Sequence, residues 1–587
     1  MSADNAAAEH PAPGEPSRGP VSPRLTARTR VVHNLRVPMR DGVELALDLL
    51  RPGLDGPRPV ILQRTPYDKV LARAGSQELF GRLAQRGYIV AFNDCRGRFN
   101  SDGVFRPYHD EADDGYDTVE WIAAQDWCDG NVGMHGGSYV GQTQWYAAAR
   151  RPPHLKAIVP IVSPPGSLWR NEPVLGGCFL LPMAEWAQGM GLRSWQVPDF
   201  ITPLFAEHQD YYEALPLSDL PERAGMSCAW LEEMLQHPVY DDFWKAGGYD
   251  VPADSDLAVL NITGWWDMNF PGGPLNFAAM RAGSAAAHQK LIIGAWPHWV
   301  NRQRELTGVD FGEHAVIELD DYIIRFFDRY LTGAPNGIED DDAVHVFVIG
   351  ANEWRAADTF PPPDAEPTEF YFRSGGRANS LRGDGALSVQ PPGAEPADSY
   401  RYDPAQPTRT VWNLREGPVD DRLATIGDDC LCYTSEVLAE PVEAVGWVTC
   451  RLWASSSARD TDWHARLVDV HPDGSARLIC KGCLRARFRE SFEVPRLLEP
   501  GQPELFEFTM DACGVRFLPG HRIRVEISSA WFSQYDRNTN SGADNNFTDA
   551  EVVVAQQRVH HEPGMASCIV LPVVRAAGGA DRPAAGS

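Results

Sequence analysis

The chain has 587 residues, more than one hydrophobic core usually organises, so two or three domains are expected. Its 53 basic side chains stand against 80 acidic ones, a net charge of −27 with no basic stripe, which argues against nucleic acid and against anionic membranes as partners. No window offers the roughly 18 uninterrupted apolar residues of a spanning helix, and no basic-then-apolar signal opens the chain. The 11 cysteines, odd in number and irregular in spacing, fit reduced thiols in a cytoplasmic protein.

Residues 1–30 are rich in Ala, Pro, Ser and Glu without periodicity and read as a disordered tail. From Val31 two strand-like runs flank Asp41-Gly42, a hairpin signal. The apolar run Pro59–Arg64 reads as a strand that ends in Thr65-Pro66-Tyr67-Asp68-Lys69. The Tyr67 hydroxyl at that strand end is either a donor to a developing oxyanion or part of a half-buried aromatic that closes the strand. A strand over Tyr88–Asn93 leads to Asp94 and Arg96 in a glycine-rich turn, where the two are expected to pair and stiffen the loop. A helix follows over Asp113–Gln125.

The next segment is the most informative. Asn131-Val132-Gly133-Met134-His135-Gly136-Gly137-Ser138-Tyr139-Val140-Gly141 is an apolar run that stops at a glycine-flanked serine and resumes as a helical stretch, Gln142–Arg150. A nucleophile elbow is built this way, because the serine sits on a strained strand-to-helix turn with room only for glycine beside it. Val140 stands where the usual motif has its last glycine, so the match is the variant G-x-S-Y-x-G. His135 precedes the elbow and, by strand alternation, points elsewhere than Ser138, as a packing or hydrogen-bonded histidine.

After a strand over Leu155–Val162, the strand-helix alternation pauses over residues 164–253, an insertion with helical candidates Leu180–Met190 and Trp230–Gln236. A serine hydroxyl needs a base, and an imidazole base needs a third group to hold its tautomer. The strand Leu257–Gly264 delivers Asp267, and the strand Lys290–Ala295 delivers His298. The order Ser138, Asp267, His298, each at a strand end, is that of the α/β-hydrolase fold. Tyr139 supplies a backbone N–H to the oxyanion by construction. Val316–Leu331 reads as a last amphipathic helix of a parallel sheet with helices on both faces.

The acidic stretch Thr332–Asp342 marks a boundary. Beyond it short strands dominate: Val344–Ile349, Glu369–Phe372, Val448–Trp453, Arg466–Val470, Glu504–Phe508, Ile523–Ser528 and Glu551–Val554. That pattern is an all-β sandwich. Cys480-Lys481-Gly482-Cys483 has metal or redox spacing but no second pair, so a structural metal is not expected there.

Together, Arg64-Thr65-Pro66-Tyr67-Asp68-Lys69, Asp94-Cys95-Arg96-Gly97 with Ser101-Asp102-Gly103, Trp127–Met134, Gly136–Gly141, Gly264-Trp265-Trp266-Asp267 and Trp296-Pro297-His298 resemble the cocaine-esterase and X-Pro dipeptidyl-peptidase group of α/β hydrolases. That group includes α-amino-acid ester hydrolases and β-lactam acylases, and the resemblance runs from about Val37 to beyond Ile569. It implies Ser138 as nucleophile, Asp267 as acid, His298 as base and the Tyr67 hydroxyl in the oxyanion hole. It also implies a helical cap over residues 164–253, inserted in a hydrolase core of residues 31–163 and 254–337, and a C-terminal jelly roll over residues 343–575, with a tail over 576–587. The segment Ser528–Phe532 with Asp536-Arg537-Asn538 resembles a family motif and is read as structural.

The expected activity is serine-dependent hydrolysis of carboxylic esters, or of amides, through an acyl-enzyme, without metal or organic cofactor. The partner is a small-molecule ester or amide, and homo-oligomerisation is left open. Within the group the alternatives are an X-Pro dipeptidyl-peptidase or a β-lactam or α-amino-acid ester acylase; outside it, a silent protein that binds through its β-sandwich. The resemblance adds a preference. α-Amino-acid ester hydrolases hold the substrate ammonium with a D-x-E-D cluster, whereas this chain reads Asp267-Met268-Asn269-Phe270. Esters with uncharged acyl groups are therefore expected to be preferred over α-amino analogues.

Overall fold

A ten-stranded sheet organises the first half of the chain. Its central strands are all parallel and run in the order Ile89–Asp94, Arg58–Thr65, Cys128–Gly137, Leu155–Ile161, Ala258–Gly264, Gln289–Gly294 and Val344–Val348. The antiparallel hairpin Thr29–Pro38 and Glu44–Pro52, turned at Gly42 with φ 86°, extends one edge, and Glu353–Ala357 closes the other. The computed structural model describes residues 13–16, 19–24, 28–75, 77–195, 212–225, 228–410, 417–420 and 422–575.

The parallel strands read as unbroken apolar runs because helices cover them. Every residue of Ile89–Asp94, Ala258–Gly264 and Gln289–Gly294 is buried. The helices Glu111–Ala123, Tyr139–Ala149, Gly272–Arg281 and Leu319–Thr332 pack on them. Gly133 allows the last of these to approach closely, since a Cβ there would stand 2.9 Å from both Leu331 and Phe327.

The second half is a β-rich domain around a twelve-stranded sheet. Its longest members are the antiparallel pair Val442–Ser456 and Glu504–Phe517, and the mostly antiparallel set continues through Ala365–Arg373, Asp462–Val470, Ala476–Arg485, Arg522–Ser528 and Cys568–Val574. Two expectations need correction here. Val344–Val348, expected in the β-sandwich, pairs in parallel with Gln289–Gly294, and Glu353–Ala357 follows it, so the first sheet extends past residue 343. Glu551–Val554 is not a strand: Val553 N–H donates to the Thr539 carbonyl at 2.8 Å, Val552 and Val554 face solvent, and strand pairing begins at Ala555.

The described part of residues 1–30 is docked, contrary to a tail that is disordered throughout. The Ser22 N–H and hydroxyl both donate to Asp328, at 2.8 and 3.0 Å, and the Gly14 carbonyl lies 2.8 Å from His345 Nδ1. These are polar anchors at irregular spacing, which hydrophobic periodicity does not register. Residues 576–587 lie outside the described residues.

The insertion between Leu155–Ile161 and Ala258–Gly264 contains the helices Pro182–Met190 and Ala229–Met234. It is tied to the β-rich domain: Phe179 N–H donates to Asp536 (2.7 Å), Leu181 N–H to the Gln534 carbonyl (3.1 Å), and Arg485 N–H to the Gly176 carbonyl (2.7 Å). Asp536 and Asn538, which belong to the motif read as structural together with Ser528–Phe532, are buried in this network. Arg485 bridges Asp462 and Asp536, while Asn538 donates to Asp460 and Asp462. All 11 cysteines are free and buried. Among the described residues no helix is long and apolar enough to cross a membrane.

Candidate active site

Ser138 sits at the turn between Cys128–Gly137 and Tyr139–Ala149 with φ 60° and ψ −133°, a conformation costly for any residue with a Cβ. Its neighbours make the turn sterically achievable. Gly136 has φ 149°, and a Cβ there would lie 2.3 Å from Val140 Cγ1. The displaced glycine of the motif has its own reason: a Cβ on Gly141 would come within 2.9 Å of Ser163 Cβ and 3.0 Å of the Ile161 carbonyl. Gly141 thus lets the helix enter beside the neighbouring strand. Tyr139 is the first residue of that helix, where an N–H has no intrahelical acceptor. Its side chain is turned away, with the hydroxyl buried between Tyr108 N–H (3.0 Å) and Glu111 (3.1 Å).

Asp267 and His298 come together from the ends of adjacent parallel strands. His298 Nδ1 lies 2.5 Å from Asp267 Oδ2; the carboxylate is fully buried and the imidazole partly exposed. The Asp267 loop is braced by its tryptophans: Trp265 Nε1 donates to the Phe347 carbonyl at 2.6 Å and Trp266 Nε1 to the Leu478 carbonyl at 3.3 Å. The other Asp267 oxygen, Oδ1, accepts from Asn269 N–H at 2.7 Å. With both oxygens engaged, the carboxylate presents one to the imidazole in a fixed direction.

Tyr67 stands beside Ser138, whose hydroxyl hydrogen-bonds it, and its phenol oxygen accepts from Trp186 Nε1 at 3.1 Å. Burial raises the phenol far above its ordinary value, so it stays protonated at any pH at which the protein works. Lys69 anchors this loop. Its backbone N–H and ammonium both bind Asp94, at 2.7 and 3.2 Å, and Arg98 donates to the Pro66 carbonyl at 2.9 Å. The expected Asp94–Arg96 pair does not form. Arg96 instead binds Asp114 (2.6 Å) and Asp41 (2.8 Å), because the buried ammonium of Lys69 claims Asp94. The loop is held rigid, but by three ion pairs in which Asp94 and Arg96 have different partners.

His135 is a packing residue. It lies edge-on to Phe80 with ring centroids 5.4 Å apart, and burial lowers its imidazole to about 4. Cys480 and Cys483 are buried on one strand, the first beside Cys513 and the second beside Cys178.

Two residues of this site were not found in the sequence. Trp186 has no motif around it and reaches Tyr67 only because the insertion folds back. Glu172, also from the insertion, lies among Tyr67, Tyr108, Asp267, Asn269 and His298. Burial pushes its carboxyl up to about 7, the nearby His298 and a hydrogen bond from Asn269 pull down, and Asp267 pushes further up. Asn269 is itself oriented by Asn171, whose Nδ2 donates to its Oδ1 at 3.1 Å. Positions 269 and 270 do lack carboxylates, as the sequence shows, yet a carboxyl distant in sequence stands beside Asn269.

Profiles of two domain families match the chain. The X-Pro dipeptidyl-peptidase S15 family matches residues 41–300, and the X-Pro dipeptidyl-peptidase C-terminal non-catalytic domain matches residues 336–570. The cocaine esterase of Rhodococcus sp. is 39% identical over 93% of this chain and 99% of its own length. This chain belongs to that family of hydrolases. A protein named as a serine esterase from Mycobacterium bovis is 29% identical over 85% of this chain and 90% of its own. Among solved structures, an α-amino-acid ester hydrolase superposes with a TM-score of 0.81 at 27% identity, covering 98% of this chain and 100% of that one. An aminopeptidase from a Thaumarchaeota archaeon superposes equally well, at 0.81 and 25% identity over the same shares.

Proposed function

We propose that this protein hydrolyses carboxylic esters through an acyl-enzyme. The observation that supports the reading is that the strained Ser138 hydrogen-bonds the Tyr67 hydroxyl while Glu172 lies beside both Tyr67 and the His298–Asp267 pair. In this reading His298 Nδ1–H is held by Asp267, which leaves Nε2 as the base toward the Ser138 hydroxyl. Ser138 Oγ adds to the ester carbonyl as His298 takes its proton, and the negative oxygen is held by the Tyr67 hydroxyl and the Tyr139 N–H. The tetrahedral adduct collapses, the C–O bond to the alcohol breaks, and His298 returns the proton to the departing oxygen. Water then repeats the sequence on the acyl-Ser138 ester and frees the acid and the enzyme. Amides follow the same course with a poorer leaving group.

In the same reading residues 164–253 act as a cap that supplies Trp186 and Glu172, the β-rich domain is a jelly roll that braces the Asp267 loop through Leu478, and the enzyme works in the cytoplasm on small-molecule esters. The Rhodococcus cocaine esterase, 39% identical over 93% of this chain, supports ester hydrolysis over peptidase action. A fluorophosphonate probe tests the core of the reading. It should label the wild type at one serine and leave Ser138→Ala unlabelled, with the Ser138→Ala protein folded. Labelling that persists in Ser138→Ala would overturn it.

A further inference from the structure

Far along the β-rich domain, at the turn that joins Asp462–Val470 to Ala476–Arg485, three side chains converge that the esterase reading does not use. Asp469 is the penultimate residue of the first strand, His471 opens the turn, and His521 comes from the turn between Glu504–Phe517 and Arg522–Ser528. His521 Nδ1 lies 2.9 and 3.1 Å from the two Asp469 oxygens, and His471 Nε2 lies 3.4 Å from Oδ2 of the same carboxylate. The two imidazole rings stand 4.4 Å apart, tilted by 42°. One donor atom from each residue falls within 4.8 Å of the others. Donors about 2.0–2.1 Å from a tetrahedral ion lie roughly 3.3–3.4 Å apart, so small side-chain shifts suffice to close this set on a cation.

We propose that Asp469, His471 and His521 form a binding site for one divalent cation of the Zn²⁺ class. Two imidazoles and a carboxylate select borderline ions over Ca²⁺ or Mg²⁺, which require an oxygen shell. Three protein ligands leave a position for water, and the 33% exposure of the His471 side chain gives an entry route while Asp469 and His521 stay buried.

The scaffold is preformed. His471 N–H binds the Ser475 carbonyl at 2.8 Å, and His521 both donates to the Leu518 carbonyl and accepts from Leu438 N–H, at 3.0 and 2.9 Å. Arg477, the cationic neighbour, is directed at the Thr307 and Pro418 carbonyls, at 3.3 and 3.2 Å. Asp473 contributes a further negative charge beside His471. An ion here would tie the turn at 471–475 to the turn at 518–521. The strand stapled in this way contains Leu478, whose carbonyl receives Trp266 next to Asp267.

The experiment is calorimetric titration of the metal-free full chain with Zn²⁺ at pH 7, with Co²⁺ visible absorption as a second readout of coordination. We expect one strong site in the wild type, and an affinity reduced by about tenfold or more in both His471→Ala and His471→Gln, since loss of even an outer partner of a metal ligand costs that much. Thermal unfolding should shift upward with Zn²⁺ in the wild type and stay put in either variant, while aryl-ester turnover without metal is unchanged by both. His471 lies on a partly exposed turn, so circular dichroism is expected to show both variants folded. No binding at 100 µM Zn²⁺, or the same affinity in wild type and both variants, would overturn the proposal.

Discussion

Tyr67→Phe isolates one hydroxyl. The ring remains, so its near-parallel packing on Trp195, at 6.2 Å between centroids, survives, and Lys69 with Asp94 still anchors the loop. In the proposed mechanism what is lost is one of two oxyanion donors, the other being the Tyr139 N–H. Removal of a single preorganised donor costs about 10² to 10³ in kcat, equivalent to roughly 2.7–4 kcal/mol of transition-state stabilisation. The phenol oxygen also accepts from Trp186, so the variant strands an indole N–H, which costs about 1–3 kcal/mol of stability where it is buried. The two effects separate experimentally: kcat and KM for an aryl ester report the first, and urea unfolding reports the second. The donor from Trp186 should also polarise the Tyr67 O–H, so Trp186→Phe is expected to lower kcat in the same sense but by less than about tenfold. If Tyr67→Phe acts mainly through KM, or leaves kcat within threefold of wild type, Tyr67 is a structural aromatic and the oxyanion is held elsewhere.

Glu172→Gln should move the acid limb of the pH profile of kcat/KM downward by some tenths of a unit to about one unit. A charged Glu172 favours the imidazolium of His298, and its own carboxyl titrates at about 7, so at higher pH it opposes deprotonation of the base; an unmoved or upward-shifted limb refutes the coupling. At pH 6, where Glu172 is mostly neutral and an α-ammonium is fully charged, phenylacetyl esters should exceed phenylglycyl esters of the same alcohol in kcat/KM by roughly tenfold or more, one unpaired charge contact being worth about 1.4 kcal/mol. A preference for phenylglycyl at that pH would move the enzyme to the acylase alternative.

The reach of the sequence differs by element. The Ser138 turn and the strand ends that carry Asp267 and His298 are legible because a serine held at a strand-to-helix turn imposes local glycine, and because buried parallel strands announce themselves as short apolar runs. The strand at Val344–Val348 illustrates the limit. Its apolar run was visible, but whether it completes the first sheet or opens the second depends on which edge it meets, and Gln289–Gly294 offered a free parallel edge. Asp94 and Arg96 were visible as charges in a tight turn; their separation into different pairs depends on Lys69 and Asp114.

Local sequence therefore determined the elements and the strand-end placement of Ser138, Asp267 and His298, since glycine at a strained turn and apolar runs under helices are demands made within a few residues. The environment of those groups was decided only by tertiary structure. Trp186 meets Tyr67 across 119 residues, Glu172 inside the insertion meets Asn269 beyond its end, and Asp469 meets His521 across 52. Contacts of this kind impose no local spacing. They arise where separate elements desolvate one another, and the same desolvation pushes Glu172 and Tyr67 away from their solution acidities.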